Sequence, residues 1–246
     1  DFYTGANARS VHGSAALHHI DNALRSDLRL IERTLSSKLC QTSCPISYLV
    51  PRIPIGTVRS DSSLHAASGH CPEAGFWWYI AWPVTIQSRT IRHITTRSDL
   101  SLISINSLEY AAQLITMMGC HLHHLETRTT RDDPHPVYLL ECDNTAGQSW
   151  LTKGCTSSAT GRDLARLQAA LLLDQGTGYC FGRVDTKSNV IADGISCIPC
   201  ESSLAHEFPV LLAQAPSLLG CRRFLLNAAL ISLIMAVLLR TGGMDP

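Results

Sequence analysis

The sequence predicts an α/β fold in which three antiparallel strands lead into alternating helices and strands. Three observations carry that reading. Short strand-prone segments crowd together between residues 57 and 94; helical spacing of apolar residues begins near Ser104; and strand-like runs alternate with helices after Pro136. With 45% hydrophobic and 16% charged residues in a chain of 246, the composition supports a folded protein with one substantial core plus extensions.

Residues 14–39 read as a helix, because Leu17, Ile20, Leu24, Leu28 and Ile31 recur at helical spacing between arginines and aspartates. Pro45, Pro51 and Pro54 then break the chain and set a first boundary near residue 50. Residues 57–68 read as one strand with small residues around Asp61. Phe76, Trp77, Trp78, Tyr79 and Ile80 form a strongly strand-prone run, and residues 84–94 offer a third strand. In the helix from Ser104, Leu108, Ala111, Ala112 and Ile115 make the buried stripe, Ser104 or Asn106 caps, and Glu109 lies beside the stripe.

The apolar run Val137, Tyr138, Leu139, Leu140 is a strand that ends at Asp143, and the helix after it stops near Gly154. A Ser/Thr-rich link precedes a helix over 162–174, where Leu164, Leu167, Leu171 and Leu172 share a face. Residues 179–184 read as the last strand and 189–196 as a short helix, which completes the order β-β-β-α-β-α-α-β-α. The apolar run 224–239 falls short of the roughly 20 residues that cross a bilayer, so it is expected to be a packing helix and no membrane contact is expected. Three sections result: 1–50, 51–200 and a helical extension over 201–246.

Lysine plus arginine equals aspartate plus glutamate at 20 each, so no global positive field draws in nucleic acid, although a local basic face is compatible with this balance. Ten cysteines without a tight framework, and no signal-peptide pattern, read as reduced thiols in an intracellular protein of cytoplasm or nucleus. Cys40 with Cys44, and Cys197 with Cys200, lie far apart in sequence, so a structural zinc site is not expected. Histidines 121, 123 and 124 suit a helix end, and Trp77, Trp78 and Trp150 read as core.

The chemistry lies in four carboxylates. Asp143 stands where a strand gives way to a helix, at the open edge of a sheet, and Asp61, Glu109 and Asp193 occupy comparable settings. Two divalent cations about 3.5–4 Å apart can activate water and stabilise the leaving oxygen of a phosphodiester. Magnesium takes hard oxygen ligands, so several acidic side chains from different elements must converge on it.

The surrounding residues carry a family resemblance. Ser60-Asp61-Ser62-Ser63 before Gly75-Phe76-Trp77-Trp78 resembles the first Asp and hairpin of the ribonuclease H-like domain of retroelement reverse transcriptases. Asn106-Ser107-Leu108-Glu109-Tyr110-Ala111-Ala112 resembles that family's Glu-bearing helix. Asp143-Asn144-Thr145-Ala146 with Trp150-Leu151 and Lys153-Gly154 resembles its second Asp, and Asn189-x-x-Ala192-Asp193-x-Ile195-Ser196 its last. The resemblance spans about residues 50–200. It implies a mixed five-stranded sheet, three strands antiparallel and two added in parallel, flanked by helices. Section 1–50 then resembles the connection that follows a polymerase domain, and the chain is expected to be part of a longer polyprotein.

The implied reaction is hydrolysis of the RNA strand of an RNA/DNA hybrid with two Mg²⁺ or Mn²⁺ ions. Asp61 would bridge both ions, Asp193 would complete the water-activating side, and Glu109 and Asp143 would hold the ion on the leaving-group side. Implied hybrid contacts are Asn144, Lys153, Ser157, Ser158, Arg162 and Arg166. Three departures stand out: residues 183–188 lack the histidine that many cellular ribonucleases H place there, and Gly194 and Cys197 stand where other residues are expected, an arginine in the case of Cys197. The alternatives are a catalytically silent connection or scaffold module that binds nucleic acid, and a transposase-like nuclease acting on DNA.

Overall fold

The computed structural model describes residues 22–36, 52–91, 103–127, 135–154, 156, 158–174 and 177–240. Its framework is a six-stranded mixed sheet. Strand β1 (Gly56–Ser62) pairs antiparallel with β2 (Ala66–Cys71), and β2 pairs antiparallel with β3 (Phe76–Ala81). Both later strands of the α/β half add in parallel, β6 (Val137–Cys142) beside β1 and β7 (Gly178–Arg183) beside β6. The antiparallel meander and the two parallel additions agree with expectation, but the segments that form the meander do not.

Residues 57–68 are two strands, not one. The Ser63 hydroxyl accepts hydrogen bonds from the amides of His65 and Ala66, so a side chain substitutes for the usual turn residues and reverses the chain. A second turn follows at Gly75, whose φ of +72° suits a residue without a Cβ. The aromatic run is therefore the third strand. Residues 84–94 do not supply it: Pro83 cannot donate to a ladder and has the φ of a helix start, so the chain enters the short helix α2 (Val84–Gln87) after α1 (Asn22–Ser36). Thr90–Ile91 (β4) then pairs in parallel with Ile103–Ser104 (β5), away from the main sheet. The expected count of five also rises to six, because Arg222–Arg223 (β8) adds in parallel to the outer edge of β3.

Helix α3 (Ile105–Thr127) lies on one face of the sheet, and its Leu108, Ala111, Leu114 and Ile115 are fully buried against Val58, Trp78 and Leu140. Helices α4 (Thr145–Lys153) and α5 (Ala159–Asp174) extend this layer, and α1 packs on α5 through an Asp27–Arg166 ion pair. Helix α1 thus covers part of the expected 14–39 helix; the rest of that span lies outside the described residues. Helix α6 (Val190–Ser196) crosses the other face, where Ile195 and Ile198 meet Trp77, Tyr79 and Leu204 in a second cluster.

The C-terminal section belongs to this architecture. Helix α7 (Glu201–Gln214) joins the second cluster through Leu204. The apolar helix α8 (Ala228–Leu239) buries Leu230, Ile234, Val237 and Leu238 in the same cluster as α3, as expected of a packing helix. Among the described residues, no helix is long and apolar enough to cross a membrane.

Candidate metal centre

Three of the four singled-out carboxylates converge. Asp61, Glu109 and Asp143 each offer an oxygen within 4.8 Å of the others. The convergence follows from how the elements are pinned together.

β1 and β6 run in parallel with Arg59 opposite Glu141, so Asp61 and Asp143, each two residues further on, emerge side by side at the same sheet edge. An ion pair between those partners, Arg59 Nε to Glu141 at 3.0 Å, reinforces the register. Glu109 comes down from α3, which Gln113 fixes on β1 by donating from Nε2 to Ser60 Oγ at 2.6 Å. Asn144 caps α4, accepting from the Gly147 amide at 2.8 Å, and its own amide donates to Asn106 Oδ1 at 3.0 Å. That second bond ties the start of α4 to the start of α3, one turn before Glu109.

Asp193 is exposed on α6 and stands outside the three-oxygen group, but it lines the same cleft of about 470 Å³ with Asp61, Glu109, Asp143, Asn144 and Cys197. Helix α6 is held by bonds along one face. Asn189 Nδ2 donates to the Ser60 carbonyl at 3.3 Å, Ser68 Oγ to the Ala192 carbonyl at 2.8 Å, and Ser63 Oγ to the Ser196 carbonyl at 2.7 Å.

The electrostatics are those of crowded, largely buried carboxylates. Burial raises the Asp61 pKa to about 6, with the Asp143 and Asp193 charges adding to it and a hydrogen bond from the Ser196 hydroxyl opposing it. Glu109 is pushed well above the usual carboxylate range, first by burial and then by the charges of Asp61 and Asp143. Its Oε2 is buried without a hydrogen-bond partner. An orphaned carboxylate oxygen beside two other carboxylates is costly unless a proton or a cation meets it, and three converging oxygens fit a hard divalent ion such as Mg²⁺ or Mn²⁺. The neighbouring Cys142 is no competing ligand: burial pushes its thiol up to about 12.

The implied hybrid contacts are distributed differently. Asn144 borders the cleft. Lys153 is exposed at the far end of α4, about 13 Å along the helix from the cap at ~1.5 Å per residue. Arg162 is exposed near the start of α5, and Ser158 caps that helix by accepting from the Gly161 amide at 3.2 Å. Arg166 is engaged by Asp27 at 2.8 Å and Asp163 at 2.6 Å, which gives it a role in docking α1. Ser157 lies outside the described residues.

Cys197 places its sulfur 3.9 Å from Asp193 Oδ1, where the expected arginine would have brought positive charge. Cys197 and Cys200 are free thiols, while Cys40 and Cys44 lie outside the described residues. Trp77 and Trp78 are buried and Trp150 packs against the core, as expected. His123 stacks on Phe76 with ring centroids 4.8 Å apart, a packing role.

Sequence reasoning missed Gln113, the bond between Asn106 and Asn144, and the role of Ser196. The signal for Gln113 was available: four residues after Glu109, it shares that residue's helix face. Comparison with protein-family models, with curated proteins and with solved structures finds no match to this chain.

Proposed function

We propose that this chain is a ribonuclease H-like domain of retroelement type that hydrolyses the RNA strand of RNA/DNA hybrids, working beside the polymerase domain of the same polyprotein. The observation that carries this reading is the meeting of Asp61, Glu109 and Asp143 oxygens within 4.8 Å at one sheet edge, with the sequence words of that family around each of them. The antiparallel meander with parallel additions supports it further.

Two bound Mg²⁺ or Mn²⁺ ions would supply an activated water and charge stabilisation of the leaving oxygen. Asp61 feels the charges of both Asp143 and Asp193, and by the family resemblance it would serve both ions. Glu109 and Asp143 would hold one of them, and Asp193, across the cleft, would complete the other. The Asn144 side chain is spent on capping α4, so its part is to fix the backbone at Asp143. Recognition of RNA would come from contacts to 2′-hydroxyls in a wide, shallow minor groove, with Lys153 and Arg162 as exposed cations for the backbone.

The test is cleavage of a labelled RNA/DNA hybrid with Mg²⁺ or Mn²⁺, beside single-stranded RNA, duplex DNA and an Asp143→Asn control. Hybrid-only, metal-dependent cutting that the control lacks is the expected result. Undiminished cutting by Asp143→Asn overturns the assignment. A folded protein that binds the hybrid and leaves it intact is the scaffold module, and cutting of duplex DNA is the transposase-like nuclease.

A further inference from the structure

We propose that Ser196 is the positioning residue of the metal centre: its hydroxyl holds the Asp61 carboxylate by one oxygen and leaves the other for a cation. The inference rests on the reading of the carboxylate group as a metal site, and it adds a residue that is not itself a ligand.

Ser196 is fully buried on α6, and its Oγ donates to Asp61 Oδ2. The same oxygen lies 3.0 Å from the Asp193 carbonyl. A hydroxyl has one proton to give, and the carboxylate is the stronger acceptor. The other bonds that hold α6 end on main-chain carbonyls, at Ser60, Ala192 and Ser196 itself. These fix where the helix lies. Ser196 differs because its bond ends on a member of the carboxylate group, so it passes the position of α6 on to Asp61.

The consequence concerns two acids on different elements. Asp61 is carried by β1 and Asp193 by α6, and both line one cleft. Ser196, three residues after Asp193 and bonded to Asp61, couples the placement of these two carboxylates. Without it, Asp61 keeps only the Ser62 main-chain bond against the repulsion of the neighbouring Asp143 and Asp193 carboxylates. A merely space-filling residue at this buried position needs no hydroxyl.

The test is a Mn²⁺ titration followed by electron paramagnetic resonance of free Mn²⁺, with thermal unfolding of the metal-free proteins alongside. Ser196→Ala is expected to weaken Mn²⁺ binding about tenfold with little change in metal-free Tm, and Ser196→Thr, which keeps the hydroxyl, to restore most of it. Ser68→Ala, which releases the Ala192 carbonyl and so loosens α6 without touching the β1–β2 turn, is expected to weaken binding about threefold, and it carries the test should the Ser196 variants fail to fold. Wild-type Mn²⁺ affinity in Ser196→Ala, or in Ser68→Ala where only that variant folds, overturns the proposal. So does a loss of affinity that tracks a loss of Tm and is not restored by threonine. Absence of Mn²⁺ binding by the wild-type chain is a different failure, because it removes the metal site itself.

Discussion

Gln113 donates to Ser60 Oγ at 2.6 Å, a buried bond that lies one helical turn after Glu109 and one residue before Asp61. It is the clamp that sets the height of α3 over β1, and so the distance between the two acids. Gln113→Leu keeps approximate volume but strands a buried hydroxyl. It is expected to cost about 1–3 kcal/mol of stability and to reduce the response to metal. Denaturant unfolding with and without Mg²⁺ checks both; a full loss of stability with an undiminished metal response would separate the clamp from the site.

Glu109→Gln is expected to stabilise the metal-free protein. The carboxylate is buried, unpartnered at Oε2 and crowded by Asp61 and Asp143, all of which disfavour its charge. A neutral amide of the same shape relieves that and can donate to either neighbour. A gain of 1 kcal/mol corresponds to about 2–4 °C in Tm for a domain of this size. The metal-induced rise in Tm should vanish in the same variant, as seen by thermal shift with and without Mn²⁺. A variant that is less stable than wild type and still responds to Mn²⁺ would contradict the account.

The Asp61 pKa, raised from 3.8 to about 6, gives the metal-free protein a defined pH dependence. The folded chain holds the Asp61 proton more tightly than the unfolded chain does. The associated stability, on the order of 3 kcal/mol, is therefore present below the ordinary carboxylate value and lost as pH rises through about 6. Metal should reverse the trend, since protons and cations compete: affinity for Mg²⁺ should fall as pH drops below about 6. Unfolding free energies across this range, for wild type and Asp61→Asn, test the sign. The variant should flatten the metal-free curve.

The acidic positions were legible because each occupies a site that local pattern marks. Glu109 sits beside a helical apolar stripe, Asp143 at the end of an apolar strand, and Asp193 in a short helical word. What was not legible depends on side chains doing the work of backbone signals. The turn between β1 and β2 has no glycine, proline or asparagine; Ser63 makes it by hydrogen bonding, so residues 57–68 read as continuous. Val84 and Ile86 have strand propensity, but Pro83 turns the chain into a helix, and only Thr90–Ile91 goes on to pair, away from the main sheet. Two arginines make a poor strand word, and β8 forms only because the chain after α7 is brought alongside β3. The section 201–246 reads as helical, and α7 is helical despite Pro209 within it, because Leu204 and Phe208 dock that helix on Trp77 and its cluster.

The last prediction concerns the apolar C-terminal helix. Ile234 is fully buried in the cluster that also holds Leu114 of α3, whereas its neighbour Leu233 is 49% exposed. Ile234→Ala removes buried methyl groups and leaves a cavity that the surrounding α3 and α5 side chains can only partly fill, so it should cost about 2–5 kcal/mol. Leu233→Ala should fall within about 0.5 kcal/mol of wild type. Because α8 touches α3, the helix that carries Glu109, and not the cleft itself, Ile234→Ala should keep its metal-induced rise in Tm while unfolding earlier. Equal, small effects of the two substitutions would mean that α8 is not docked in solution. A large effect of Ile234→Ala alone would make the C-terminal section part of the cooperative unit that supports the metal centre.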